Sequence, residues 1–162
     1  MDRLWSPWRY RYVSRDLPTE GCVFCSQPAG TDEHSLVVFR GRYNFVILNL
    51  YPYTTGHLMV IPYAHCPELE ALPPETAAEM MDLTRRSVAA LKSVYHPEGL
   101  NVGMNLGECA GAGIAGHLHM HVLPRWTGDA NFMTTVGETR VMPEDLGDSW
   151  RKLSAAFAQQ AA

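Results

Sequence analysis

Residues His117-Leu118-His119-Met120-His121-Val122 alternate imidazole and apolar side chains without a break. In an extended strand successive side chains point to opposite faces, so this order sets three rings on one face and Leu118, Met120 and Val122 on the other. The stretch therefore asks for a sheet with an apolar core on one side and a chemically active surface on the other. An imidazole titrates near pH 6.5 and serves as nucleophile, proton donor or metal ligand at neutral pH. A histidine-rich tract can also be a casual metal binder. The strict alternation with apolar partners favours a built site, as does the glycine-rich segment 107–116 just before it, where backbone amides can approach a phosphate closely.

The rest of the chain supplies the sheet. Ser35 to Arg40 and Tyr43 to Leu50 read as strands joined by a tight Gly41-Arg42 turn, and His57 to Pro62 as a third strand that the proline ends. Pro73-Pro74-Glu75 opens a helix over Thr76 to Tyr95, which His96-Pro97 closes. Its Met80, Leu83, Val88, Leu91 and Val94 have helical spacing and should face the sheet, with Met81 expected in the core beside Met80. Leu100 to Leu106 and Gly116 to Pro124 complete five strands, and Pro143 to Gln160 reads as a surface helix. This order predicts an α+β domain, a mostly antiparallel five-stranded sheet with a long helix packed on one face and a C-terminal helix. The 162 residues fit a single domain: an arm with a Cys-x-x-Cys knuckle over 1–34, a catalytic core over 35–126 and a C-terminal extension over 127–162.

Composition narrows the function classes. Apolar residues make up 46% and charged residues 19%, which are globular values. The net charge of −4 argues against a duplex nucleic-acid binder working through a broad basic surface, but leaves room for a small anionic substrate held in a local pocket. No apolar run approaches the roughly 20 residues that span a bilayer, and no leader pattern opens the chain, so the cytoplasm is the expected compartment. Between Trp5 and Tyr12, aromatic and arginine residues interleave. That pattern can mark single-stranded nucleic-acid contact, but in one short segment it fits better an arm packed on the body or across a dimer.

Beyond the alternating histidines, Phe45-Val46-Ile47-Leu48-Asn49, Gly56-His57-Leu58-Met59-Val60-Ile61-Pro62 and Asn105-Leu106-Gly107 with Ala110-Gly111 stand in an order that resembles the histidine triad superfamily of nucleotide hydrolases and transferases. Leu4-Trp5-Ser6-Pro7-Trp8-Arg9, Leu48-Asn49-Leu50-Tyr51-Pro52-Tyr53 and Pro124-Arg125-Trp126-Thr127-Gly128-Asp129-Ala130-Asn131-Phe132 are similar to signatures of its bacterial branch that includes diadenosine tetraphosphate phosphorylases. The resemblance implies a covalent nucleotidyl intermediate on His119, with His121 contacting a phosphate oxygen or protonating the leaving oxygen. It implies substrate contacts at Asn49, Asn105, Gly111, Gly113 and His121, and a homodimer. Ala112 and Gly113 stand where family members often carry polar side chains, so backbone N–H groups would have to serve there. The expected substrate is a dinucleoside polyphosphate, diadenosine tetraphosphate first, cleaved by water or by inorganic phosphate. A nucleoside phosphoramidate hydrolase and a non-catalytic nucleotide-binding regulatory module are the alternatives.

Cys22-Val23-Phe24-Cys25 alone reads equally as a redox pair, a reduced knuckle or half of a zinc site. Resemblance to zinc-containing members adds His65 and His117 to Cys22 and Cys25, a four-ligand set with no open position and hence structural Zn(2+). Cys66 and Cys109 read as ordinary apolar thiols, His34 and His96 as surface residues, and His57 as a residue near the site without a definite role.

Overall fold

The computed structural model describes residues 21–160 apart from 138 and 140. The Trp5 to Tyr12 arm and its signature lie outside the described residues. Five strands, β1 (Val37–Arg40), β2 (Asn44–Leu48), β3 (Leu58–Pro62), β4 (Gly99–Gly103) and β5 (Met120–Arg125), form one sheet in the order β1-β2-β3-β5-β4. Every neighbouring pair is antiparallel. Two one-turn helices, α1 (Val23–Ser26) and α2 (Asp32–Ser35), precede the sheet; α3 (Pro74–Tyr95) joins β3 to β4, and α4 (Phe132–Thr135) and α5 (Leu146–Gln159) follow β5.

Strand alternation sorts the interior into two layers. Val46, Leu48, Leu58, Val60, Leu118, Met120 and Val122 face α3 and α5, where they meet Met80, Leu83, Leu91, Leu153 and Phe157. Phe45, Ile47, Met59 and Ile61 point the other way and pack with Val37 and Phe24 in a smaller cluster. The register Met59↔His121 and Val60↔Met120 puts the imidazoles on this second face. Leu118, Met120 and Val122 belong to the main core, as their alternation predicts.

Several sequence expectations need correction. The β1–β2 turn is centred on Arg42-Tyr43, one residue later than Gly41-Arg42: Arg40 pairs with Phe45, Gly41 N–H donates to Asn44 O, and Glu79 of α3 gathers the loop amides. The fifth strand starts at Met120, because Leu118 donates its N–H to Cys66 O in a loop instead of to a neighbouring strand. Met81 is 53% exposed, one residue round the helix from the buried Met80. The C-terminal helix is a core layer and not a surface decoration: Leu153 and Phe157, one turn apart, are fully buried. Cys109 is exposed in the glycine-rich loop, while Cys66 is partly buried and donates its thiol to Glu68 O.

Between β2 and β3 the chain turns at Gly56, whose φ is +79° and whose missing Cβ would lie 2.8 Å from the Tyr95 ring. Only glycine takes both the left-handed backbone and that approach without strain. The turn delivers His57, the next residue, fully buried into the interior.

Candidate active site

His119 is held by the carbonyl of a residue two positions earlier: its Nδ1 lies 2.8 Å from His117 O. A carbonyl oxygen only accepts, so Nδ1 carries the proton and the lone pair sits on Nε2. No partner of Nε2 is found among the described residues. Burial lowers the His119 pKa below the ordinary 6.5, against the opposing pull of the His117 carbonyl, so the ring is neutral at pH 7. The ring is 94% buried yet lines a cleft of about 680 Å³.

A second chain of hydrogen bonds fixes His121. The backbone N–H of Tyr53 donates to His57 Nδ1 at 3.2 Å, and the Asn49 amide nitrogen lies 3.3 Å from the same atom. His57 therefore carries its proton on Nε2, which donates to His121 Nδ1 at 2.9 Å. That leaves the His121 proton on Nε2, and His121 also lines the cleft. Burial, then the positive charge His121 and His119 would present, pushes His57 down to about 3. Burial and His119 push His121 to about 4. The His119 and His121 rings meet edge to face, centroids 4.8 Å apart.

The remaining expected contacts are placed unevenly. Asn49 lines the cleft, and its side-chain oxygen accepts from Tyr51 N–H at 2.9 Å. Gly111, with φ +95°, and Gly113 line it too, beside Gly116. Asn105 is not a lining residue; its amide reaches Gly111 O, in the lining loop, at 3.5 Å. Val23, Phe24, Leu36, Ile47, Leu48 and Met59 give the cleft an apolar surface suited to a flat ring.

Cys22, Cys25, His65 and His117 converge, their ligand atoms all within 4.8 Å of one another, close enough for one metal ion to span. His117 Nε2 donates to Pro62 O at 2.9 Å, which leaves Nδ1 unprotonated and aimed at the thiols, 3.3 Å from Cys22 Sγ and 3.6 Å from Cys25 Sγ. His65 Nδ1 lies 3.4 Å from Cys25 Sγ. Burial and the adjacent Cys22 push the Cys25 thiol up, the penalty a shared cation would relieve. The donor set thus fits a metal, with two soft sulfurs and two imidazoles oriented by their other nitrogens or by packing. His34 and His96 are exposed, as expected of surface residues.

Sequence reasoning left His57 without a role, and structure shows why. Its hydrogen bond reaches a residue 64 positions away, which no local periodicity encodes. Phe24 was passed over for a similar reason, since an aromatic inside a Cys-x-x-Cys reads as filler until the knuckle folds onto the catalytic strand.

Residues 31–128 match the HIT domain. The chain is 45% identical over 168 residues to the AP-4-A phosphorylase of Mycobacterium tuberculosis, covering 99% of this chain and 86% of that one. A Zn-bound histidine triad family protein from Mycobacterium smegmatis has 34% identity and a TM-score of 0.70, covering 86% of this chain and 95% of its own. A HIT family member from Bacillus subtilis has 31% identity and a TM-score of 0.61, covering 88% and 99%. By its matched domain, its relatives and its sheet carrying the alternating histidines, this chain belongs to the HIT domain family.

Proposed function

We propose that the protein is an enzyme of nucleotidyl transfer acting on dinucleoside polyphosphates, diadenosine tetraphosphate first among them, by way of a nucleotide carried on His119. The observation that carries this reading is the bond from His119 Nδ1 to His117 O, which leaves Nε2 as a bare nucleophile at the cleft. Attack by Nε2 on the α-phosphorus forms an N–P bond and breaks the bridging P–O bond, and the electron pair leaves on the polyphosphate oxygen. The ring then bears positive charge, which the His117 carbonyl stabilises through Nδ1–H.

His121 begins as a hydrogen-bond donor and not as a charged acid, since its pKa lies near 4. Its Nε2–H contacts phosphate oxygens; the negative charge of a bound polyphosphate raises its proton affinity, so that the ring can take a proton from solvent as substrate binds, pass one to the leaving oxygen and end neutral. The backbone amide at Gly113 supplies a donor to an equatorial oxygen, while the Gly111 N–H is bound to Glu108 O and holds the loop in shape. In the second half, phosphate or water attacks the phosphorus and Nε2 is released. With diadenosine tetraphosphate and phosphate the products are ATP from the first step and ADP from the second.

Zinc is the ion that suits the Cys22, Cys25, His65 and His117 set. Tetrahedral zinc with ordinary Zn–S and Zn–N bonds separates its ligand atoms by about 3.3 to 3.8 Å, and the three contacts above, 3.3 to 3.6 Å, match the edges of such a tetrahedron. Held by these four side chains, zinc would tie the knuckle to the strand of the alternating histidines as a structural ion, without an open position for water.

The cytoplasm fits four free cysteines, and among the described residues no helix is long and apolar enough to cross a membrane. A homodimer formed along β4 would cover the outer strand of the sheet, where Val102 and, just beyond, Leu106 are about half exposed.

The test is to incubate the protein with diadenosine tetraphosphate, with and without inorganic phosphate. ATP plus ADP in phosphate, together with an AMP adduct mapped to His119 and absent from His119→Ala, is the expected result. Products unaffected by phosphate overturn the phosphorylase, and a protein that turns over without any adduct at His119 overturns the mechanism.

A further inference from the structure

The ring of His119 is clamped on two sides. His121 meets it edge to face, and on another side stands Phe24, centroid 5.1 Å away and tilted by 59°. Phe24 also meets His117 edge to face at 5.6 Å. It is 94% buried, packed into the smaller apolar cluster with Ile47, Met59 and Ile61, and its backbone lies within α1, between Cys22 and Cys25. The two constraints on His119 other than His121 therefore come from the metal cluster: the backbone carbonyl of one of its members and the aromatic ring set between two others.

We propose that Phe24 is a positioning residue through which the metal knuckle fixes the orientation of the His119 ring. The proposal rests on His119 being the nucleophile. A one-turn helix of four residues has little stability of its own, so what holds α1 against the strand is the burial of Phe24, together with the cross-link that a metal on Cys22, Cys25, His65 and His117 would supply. With the metal bound, the Phe24 ring is fixed in place and the His119 ring has one orientation. With the knuckle released, the ring loses its aromatic wall, although the Nδ1 bond to the His117 carbonyl remains.

Zinc-loaded wild type, Phe24→Leu and Phe24→Ala are compared in two measurements. The first follows a single turnover of adduct formation on His119 from diadenosine tetraphosphate, with AMP affinity measured alongside. Misplacing a reacting group by about 1 Å can cost on the order of 100-fold, so Phe24→Ala is expected to slow adduct formation at saturating substrate by roughly tenfold or more, beyond whatever AMP affinity is lost with this part of the cleft wall. Phe24→Leu, which keeps most of the apolar volume, falls between and serves if the alanine variant does not fold. The second measurement is the histidine ring ¹H–¹³C NMR spectrum before and after removal of zinc by a chelator. Zinc removal should shift the His119 ring signals in wild type and shift them little in the Phe24 variants.

An unchanged adduct rate in both variants overturns the proposal, as does a loss carried wholly by AMP affinity, which would make Phe24 only a cleft wall. Equal shifts of the His119 signals on zinc removal in wild type and variants also overturn it. A wild-type enzyme that forms no adduct refutes the nucleophile assignment itself, and the spectra then still report whether knuckle and ring are coupled.

Discussion

His57 Nε2 lies 2.9 Å from His121 Nδ1, with both rings buried and no solvent between them. Because the Tyr53 amide donates to the other nitrogen of His57, this bond has one direction, and it determines which nitrogen of His121 faces the cleft with a proton. His57 does not itself line the cleft, so an effect on the reaction would run through His121.

Replacing His57 should therefore impair catalysis more than binding. Outer-sphere partners of this kind typically contribute about 10- to 100-fold, so His57→Ala is expected to lower kcat by that order. His57→Gln, which can accept from Tyr53 through its oxygen and donate to His121 through its nitrogen, should recover part of the loss. Steady-state kinetics of the two variants check this, and equal kcat in wild type and His57→Ala would show that the tautomer of His121 is set some other way.

The same pair makes stability depend on pH. His57 and His121 titrate at about 3 and about 4 in the folded protein, below the ordinary 6.5 that an unfolded chain shows. Between those limits the unfolded chain binds more protons, so stability falls as pH drops below 6.5 and continues to fall toward pH 4, whereas above 6.5 neither group contributes a slope. Each group contributes at most about 1.4 kcal/mol per pH unit in that window. Urea denaturation at pH 7.5, 6 and 5 should show the decline in wild type and a shallower one in His57→Gln.

Much of this site is legible in the sequence because it depends on alternation. His119 and His121 share a face, and Leu118, Met120 and Val122 share the opposite one, from period two alone. The knuckle was half legible, since Cys22 and Cys25 are adjacent in a motif but His65 and His117 join them only through resemblance and then through the fold. His57 and Phe24 were not legible, because each acts through a contact spanning tens of residues. Asn105 is expected as a substrate contact from resemblance alone, and the structure adds that its amide bonds Gly111 O of the glycine-rich loop. The burial of Leu153 and Phe157 was missed for another reason: a short amphipathic helix at a chain end reads the same whether its apolar stripe meets a core or merely caps a surface.

Removing the metal ligands separates folding from chemistry. Cys25→Ser takes away a ligand at the exposed edge of the cluster and leaves His117 bound to Pro62 O, so the strand should keep its place while the knuckle loosens. Metal analysis is expected to show less than one zinc per chain in the variant against one in wild type. Limited proteolysis should cut near residues 22–30 in the variant while the sheet and α3 resist. Full zinc retention by Cys25→Ser would remove Cys25 from the ligand set.

Glu79 of α3 anchors the β1–β2 loop, and its loss should be felt as stability rather than activity. Its carboxylate accepts from the backbone N–H groups of Arg42, Tyr43 and Asn44, each at 2.7 Å, and from the Asn44 side chain at 2.8 Å. Burial alone would raise its pKa, but these donors outweigh it and hold the group below the ordinary 4.5. The stabilisation is therefore present above pH 4.5 and is lost as pH falls through the lower folded value. Glu79→Ala leaves the fully buried Asn44 and several loop amides short of an acceptor, and bonds to a charged group contribute about 1.5 to 3 kcal/mol net. A loss of roughly 2 to 3 kcal/mol is expected at pH 7 from urea midpoints with an unchanged slope. KM for the dinucleotide should stay at the wild-type value, because Glu79 is not among the residues lining the cleft. A variant as stable as wild type would mean that water replaces the carboxylate at the loop without loss.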